Sequence, residues 1–139
     1  MTVNNTDITN LTQKRVLVVE DSALVAMDLC SVLAEAGYAT VGPAATVEDA
    51  IKLIDSSSID VVLLDMNLNG VMSIPVAEKL RGLGVPFAFL TGYEKKSPFA
   101  ENFPGCPVVQ KPIEENLMLG ILKNLIESKR HESVTGTSA

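Results

Sequence analysis

The chain has one histidine and two cysteines in 139 residues, and no tryptophan. That scarcity excludes most imidazole and thiolate chemistry. Cys30 sits in a helical apolar pattern and reads as core packing. Cys106 lies in a Pro/Gly-rich stretch and reads as structural, and two such cysteines make no disulfide framework. His131 falls in a C-terminal stretch that reads as a tail, so neither a zinc site nor a catalytic histidine is expected. Positive charge is also short: 11 Lys and Arg stand against 17 Asp and Glu, for a net charge of −6. The doublets Lys14-Arg15, Lys95-Lys96 and Lys129-Arg130 read as solvated surface, and there is no basic stripe. Nucleic acid is therefore not an expected partner, since binding its phosphates needs clustered Lys and Arg. No apolar run approaches the ~18 residues that cross a bilayer. Met1 to Lys14 is polar and lacks the apolar core of a signal peptide. A soluble, cytoplasmic protein with no membrane partner is expected.

What the chain does have is 47% hydrophobic residues, arranged in short runs that suit one domain with a sizeable core. Residues 1–13 are Thr/Asn-rich and predict a flexible arm; 14–130 form the domain; 131–139 predict a flexible tail. Val16 to Val19 is a first apolar strand, ending in Glu20-Asp21. Ser22 caps a helix with Val25, Leu29, Val32, Leu33 and Ala36 at helical spacing, stopped by Gly37. Ala39 to Gly42 predicts a second strand, ended by Pro43. Thr46 and Asp49 resemble a capping box for a helix facing inward through Val47, Ala50, Ile51 and Ile54. A third strand, Asp60 to Asp65, is followed by a predicted loop, Met66 to Gly70. The next helix spans Ser73 to Leu83, with Ala77, Leu80 and Leu83 inward. Phe87 to Leu90 is a fourth strand, ending in Thr91-Gly92. From Glu94 to Pro107 only a short helix is expected, capped by Ser97, begun by Pro98 and running to about Asn102. That stretch predicts a weak, mobile element. Val108 to Gln110 is a fifth strand, ending in Lys111-Pro112. A last helix faces inward through Leu117, Ile121, Leu122, Leu125 and Ile126.

Five alternating strand–helix units imply an α/β fold: a doubly wound, flavodoxin-like (βα)5 parallel sheet in the order 2-1-3-4-5. Ligands bind such sheets beyond the carboxyl ends of strands 1 and 3. Those ends carry Glu20, Asp21 and Asp65, and the neighbouring strand ends carry Thr91 and Lys111. A carboxylate cannot sit cheaply inside a buried strand, so Asp65 must emerge at its end. Three crowded carboxylates repel one another unless a cation intervenes. A hard divalent ion with oxygen ligands, above all Mg²⁺, relieves this and keeps waters for a phosphate to displace. A hydroxyl from Thr91 and a compact positive charge from Lys111 can hold two oxygens of a phosphoryl group on Asp65. Phosphoryl transfer needs little beyond such positioning and neutralisation. Singly, each feature has a plainer reading: a strand-end Asp often caps a turn, and a strand-end Lys is often only solvated.

Val18-Val19-Glu20-Asp21-Ser22, Leu63-Leu64-Asp65-Met66-Asn67-Leu68, Leu90-Thr91-Gly92 and Gln110-Lys111-Pro112 together resemble the motifs of bacterial two-component response-regulator receiver domains. The resemblance covers about residues 14–128. It implies Asp65 as phosphoacceptor, and Mg²⁺ held directly by Asp21 and Asp65, by Glu20 through a water, and by the Asn67 backbone carbonyl. It implies Thr91 and Lys111 on the phosphoryl oxygens, and a Lys111-Pro112 bond that is often cis. It implies a phosphoacceptor fed by a sensor histidine kinase, with slow self-dephosphorylation rather than enzymatic turnover. Receivers commonly carry an aromatic switch residue at the position of Val108. Pro86 to Tyr93 resembles a subgroup with a Phe-Ala-Thr-Gly-Gly/Tyr pattern, which lacks that switch and works with HWE or HisKA2 kinases. A stand-alone domain is expected, signalling by contact with a downstream protein or phosphotransfer protein, as shuttle, sink or adaptor. The expected contact face is the Tyr93–Pro107 segment with the last helix. Phosphorylation is expected to draw Thr91 inward and order that segment, with Tyr93 a candidate for the missing switch.

Two other classes compete. A haloacid-dehalogenase-like phosphohydrolase also uses Asp, Thr and Lys, but with its nucleophile on the first strand and a second Asp two residues on. Here that position is Asn67. A flavodoxin-like carrier needs a Ser/Thr/Gly phosphate cradle in the first turn, where this chain has Glu20-Asp21-Ser22-Ala23.

Overall fold

The computed structural model describes residues 13–92 and 98–138. The arm up to residue 12, Tyr93, the Lys95-Lys96 doublet and the Ser97 cap lie outside the described residues. Within them, β1 (Arg15–Val19), β2 (Ala39–Ala44), β3 (Val61–Asp65), β6 (Phe87–Thr91) and β7 (Val108–Gln110) form one parallel sheet. Its order is β2-β1-β3-β6-β7, the expected doubly wound order once a small hairpin, β4 (Asn67–Leu68) and β5 (Val71–Met72), is set aside.

The sheet separates two apolar layers, because successive side chains of a strand point to opposite faces. Leu17, Val19, Val62, Leu64 and Phe89 face one way, against α2 (Val47–Ser56), α3 (Ile74–Leu83) and α4 (Pro98–Asn102). Val16, Val18, Val61, Leu63, Ala88 and Leu90 face the other, against α1 (Ala23–Glu35) and α5 (Glu115–Ser138). The three central strands are thus covered on both sides, which is why they read as unbroken apolar runs. Ser22 and Thr46 cap α1 and α2 through their side chains, as their sequence positions predict.

Several details depart from the sequence expectation. β2 does not stop at Pro43 but runs through a cis Gly42-Pro43 bond to Ala44. β2 is an edge strand, where the N–H that proline lacks is not needed for a ladder. The β1–β2 register shifts between Leu17 and Val19 there, and the shift lets the Ala44 carbonyl accept the Glu20 amide at 2.9 Å. Gly42 makes this possible. Its φ is +90°, and a Cβ would stand 2.9 Å from the Ala44 nitrogen and 3.1 Å from the Val18 carbonyl. Gly42→Ala is therefore expected to cost about 1–3 kcal/mol through backbone strain, more if the clash is not relieved. A lower melting temperature in calorimetry checks this; an unchanged one refutes it.

The stretch Met66–Gly70 is no simple loop: it enters the β4–β5 hairpin, turned at Asn69 (φ 54°) and Gly70 (φ 87°). Leu83 is exposed rather than inward, because the core line of α3 is Val76, Ala77 and Leu80 and the helix ends at left-handed Gly84. In α5 the buried line starts at Met118 and Leu122, four residues apart, which leaves Leu117 about 100° round the helix and exposed. α5 continues to Ser138, into the stretch that reads as a tail. The Pro/Gly-rich segment is anchored by Phe99 and Phe103, which meet Phe87 and Phe89 edge-on with centroids 4.8–6.0 Å apart.

Candidate phosphoacceptor site

Each core strand delivers its last polar residue to the same rim. β1 is followed by Glu20 and Asp21, β3 ends at Asp65, β6 ends at Thr91, and β7 is followed by Lys111. Carboxylate oxygens of Glu20, Asp21 and Asp65 lie within 4.8 Å of one another. Glu20 and Asp65 are only 2% and 4% exposed, and Thr91 is 4% exposed. The strand-end residues singled out in the sequence are thus brought to one rim. The Asn67 side chain is engaged within the hairpin, where its Oδ1 accepts the Gly70 amide at 2.7 Å. What Asn67 offers Asp65 is its backbone N–H, donated to Oδ1 at 3.0 Å.

Lys111 is the cation among the acids. Its Nζ donates to Asp65 Oδ2 at 2.8 Å and stands 2.9 Å from Glu20 Oε1. The second contact is an ion pair, and Glu20 Oε1 is a buried oxygen that accepts no hydrogen bond. Glu20 Oε2 accepts the Ser22 amide at 3.0 Å. The Lys111 amide in turn donates to the Thr91 carbonyl at 2.8 Å, so the ends of β6 and β7 are locked in register.

The charges respond to this crowding. Burial pushes Glu20 up to about 7, and the Asp65 charge adds to it, against the pull of the Ser22 amide and Lys111. Burial pulls Lys111 down, but the two carboxylates beside it, Asp65 first and then Glu20, outweigh that and hold its ammonium above the ordinary lysine range. Three acids and one ammonium leave the rim short of positive charge. An all-oxygen donor set with a buried, undonated oxygen fits a hard divalent cation such as Mg²⁺.

Two contributors were not legible as site residues. The Asn69 amide donates to Asp21 Oδ2 at 3.0 Å and ties the hairpin to the first acid pair. Asn-Gly is the strongest short signal for a tight hairpin turn, so residues 69 and 70 carried that information. Ser73, fully buried, donates its hydroxyl to the Asp65 carbonyl at 2.6 Å. Its sequence position reads only as the start of a helix.

The family described as response regulator receiver domain matches residues 16–123. The chain belongs to this family. The receiver domain is 32% identical over 97 residues to the transcriptional regulatory protein PdtaR of Mycobacterium tuberculosis, covering 69% of this chain and 47% of that protein. The chain spans about half the length of the curated relatives it matches. A CheY-like receiver domain protein from Methanospirillum hungatei superposes with a TM-score of 0.78 at 24% identity, over 87% of this chain and 99% of the other. That likeness is one of fold. The signal receiver domain of a modulated diguanylate cyclase from Desulfovibrio desulfuricans gives 0.78 at 25% identity, over 86% and 98% of the two chains. The receiver domain is thus a module of two-component signalling. The phosphohydrolase alternative gains no support from the match.

Proposed function

We propose that this receiver domain accepts a phosphoryl group on Asp65 from the phosphohistidine of a sensor histidine kinase. The observation that carries the proposal is the setting of Asp65. It is a buried strand-end carboxylate with one oxygen on an amide, the other on an ammonium, and two further acids within 4.8 Å. An Asp65 oxygen attacks phosphorus in line. The phosphorus–nitrogen bond breaks, and its electron pair stays on the leaving imidazole, which takes up a proton. Lys111 and the Thr91 hydroxyl receive the non-bridging oxygens. Asp21 and Asp65 would hold Mg²⁺ directly, Glu20 through a water, and Asn67 by its backbone carbonyl. Bound Mg²⁺ would supply the positive charge that the attacking carboxylate and the phosphoryl oxygens both need. Incubation with phosphoramidate and Mg²⁺ is expected to place about one hydroxylamine-labile phosphoryl group per chain, on Asp65. No label, or a label elsewhere, overturns the proposal.

On this reading the domain is a self-catalysing phosphoacceptor that dephosphorylates slowly, and not a turnover enzyme. It works in the cytoplasm, as a shuttle, sink or adaptor, with a kinase of the HWE or HisKA2 type and a downstream protein or phosphotransfer protein. Among the described residues no helix is long and apolar enough to cross a membrane. Val108, where many receivers carry the aromatic switch, lies exposed on edge strand β7. Thr91 is already buried, so an inward pull on it has little distance to cover. The ordering of the segment around Tyr93, and the part Tyr93 plays in output, rest on residues outside those described.

The kinase is proposed to dock over α1. Leu24 and Met27 there are 78% and 68% exposed. Leu24 also borders a groove of about 410 Å³ shared with Val25, Lys111, Pro112 and Ile113. Leu24→Asp is expected to slow transfer from the kinase by tenfold or more, about the weight of one buried apolar anchor. Labelling by phosphoramidate, which needs no docking, is expected to stay unchanged. An equal loss with both donors would refute the docking face.

A further inference from the structure

A serine that precedes a helix normally turns its side-chain oxygen forward, to accept a free amide of the first turn. Ser73 caps α3 without doing so. Its oxygen points backward instead, 2.6 Å from the Asp65 carbonyl and 3.3 Å from the Met66 carbonyl. Both neighbours are acceptors only, so the hydroxyl must be the donor, and its single proton goes to the nearer oxygen. The bond is at the short end of the O–H···O range and fully buried. The position also matters. Val19 and Leu64 are the last pair between β1 and β3, so at Asp65 the strand has run past its β1 neighbour. On the other edge the Met66 amide still donates to the Leu90 carbonyl at 3.0 Å. The Asp65–Met66 peptide is therefore held from β6 on its amide side and by Ser73 on its carbonyl side. The Ser73 amide adds a third tie, to the Met66 carbonyl at 3.0 Å. Tilting this peptide would re-aim the Asp65 side chain and shift the Asn67 amide that meets its Oδ1.

We propose that Ser73 is a positioning residue for phosphoryl transfer: its hydroxyl, donated to the Asp65 carbonyl, fixes the peptide that aims the Asp65 carboxylate. This rests on the reading of Asp65 as phosphoacceptor. The test compares labelling rates at saturating phosphoramidate and Mg²⁺, well below every variant's melting temperature. Ser73→Ala is expected to label about tenfold more slowly, since small misplacements of a reacting group cost one to two orders of magnitude. Ser73→Thr, which keeps the hydroxyl, is expected to label faster than Ser73→Val, which has the same shape without it. Leu33→Ala, in the core of α1, is destabilised without touching the site and is expected to keep the rate. The Asn67 amide resonance is expected to move in Ser73→Ala and not in Leu33→Ala. Labelling of Ser73→Ala within twofold of the unaltered protein, or equal rates for Thr and Val, overturns the proposal. Should the variants fail to fold, the unaltered protein decides: the Ser73 hydroxyl proton must exchange slowly in NMR, and fast exchange overturns the proposal. An unaltered protein that takes no label on Asp65 instead overturns the phosphoacceptor reading itself.

Discussion

Asp65→Asn is expected to remove all hydroxylamine-labile label, whether phosphoramidate or a kinase is the donor. The rate should fall by at least three orders of magnitude, because a neutral amide is a far weaker nucleophile than a carboxylate and no other group takes over its position. Glu20 is buried with one oxygen on the Ser22 amide, and Asp21 is tied to the Asn69 amide. Neither stands at the end of β3 between an amide and Lys111 as Asp65 does. The loss should not come from unfolding. Asn has the shape of Asp, and it removes one of three mutually repelling charges from a rim whose only close ammonium is Lys111 among the described residues. Without metal the variant is therefore expected to melt at or above the temperature of the parent. Calorimetry beside the labelling assay checks both halves. A hydroxylamine-labile label retained by Asp65→Asn would remove Asp65 from the proposed role. A variant that no longer melts cooperatively would show that the carboxylate also holds the fold.

The carriers of this site were legible because burial expels charge from parallel strands. Four apolar residues running into Asp65, and Val16 to Val19 running into Glu20, can deliver those acids only to a strand end. Topology then does the rest, since parallel strands share one carboxyl rim. The pairing of the site was less legible. Nothing in the spacing says that Lys111 bridges Glu20 and Asp65, or that Glu20 is driven to hold a proton. Those depend on distances across the sheet, not along the chain. The hairpin at Asn69-Gly70 was present as a turn signal but fell between a strand and a helix with only two residues on each side. Pro43 reads as a stop because a central strand cannot use it, and only the sheet order shows that β2 is an edge. Ser73 reads in the sequence only as the start of a helix, and the direction of its oxygen is what reveals the bond to Asp65.

Mg²⁺ is expected to stabilise the domain far more at pH 8 than at pH 5.5. Glu20 has an ordinary value of 4.5 in the unfolded chain and about 7 in the fold, raised chiefly by burial. Between those values the folded state keeps a proton that the unfolded state has lost. Stability rises with pH only where the unfolded state binds more protons, so here it falls as pH climbs from 4.5 to about 7 and then levels off. The whole effect is on the order of 3 kcal/mol, at about 1.4 kcal/mol per pH unit. Lys111 adds no slope in this window, because its raised ammonium stays charged throughout. A cation bound among Glu20, Asp21 and Asp65 does what the proton on Glu20 does, so the two compete. At pH 5.5 Mg²⁺ must displace the proton, and at pH 8 it meets a full set of carboxylates. With Mg²⁺ at about a hundred times its dissociation constant, mass action contributes roughly 2.7 kcal/mol at the higher pH. Calorimetry at the two pH values, with EDTA or with Mg²⁺, reads the difference. Glu20→Gln separates this group from the rest of the chain's titration. It is expected to flatten the metal-free decline between pH 5 and 7 and to weaken Mg²⁺ binding at pH 8. An Mg²⁺ shift that is equal at both pH values, or larger at pH 5.5, would mean that the ion is not held among these carboxylates.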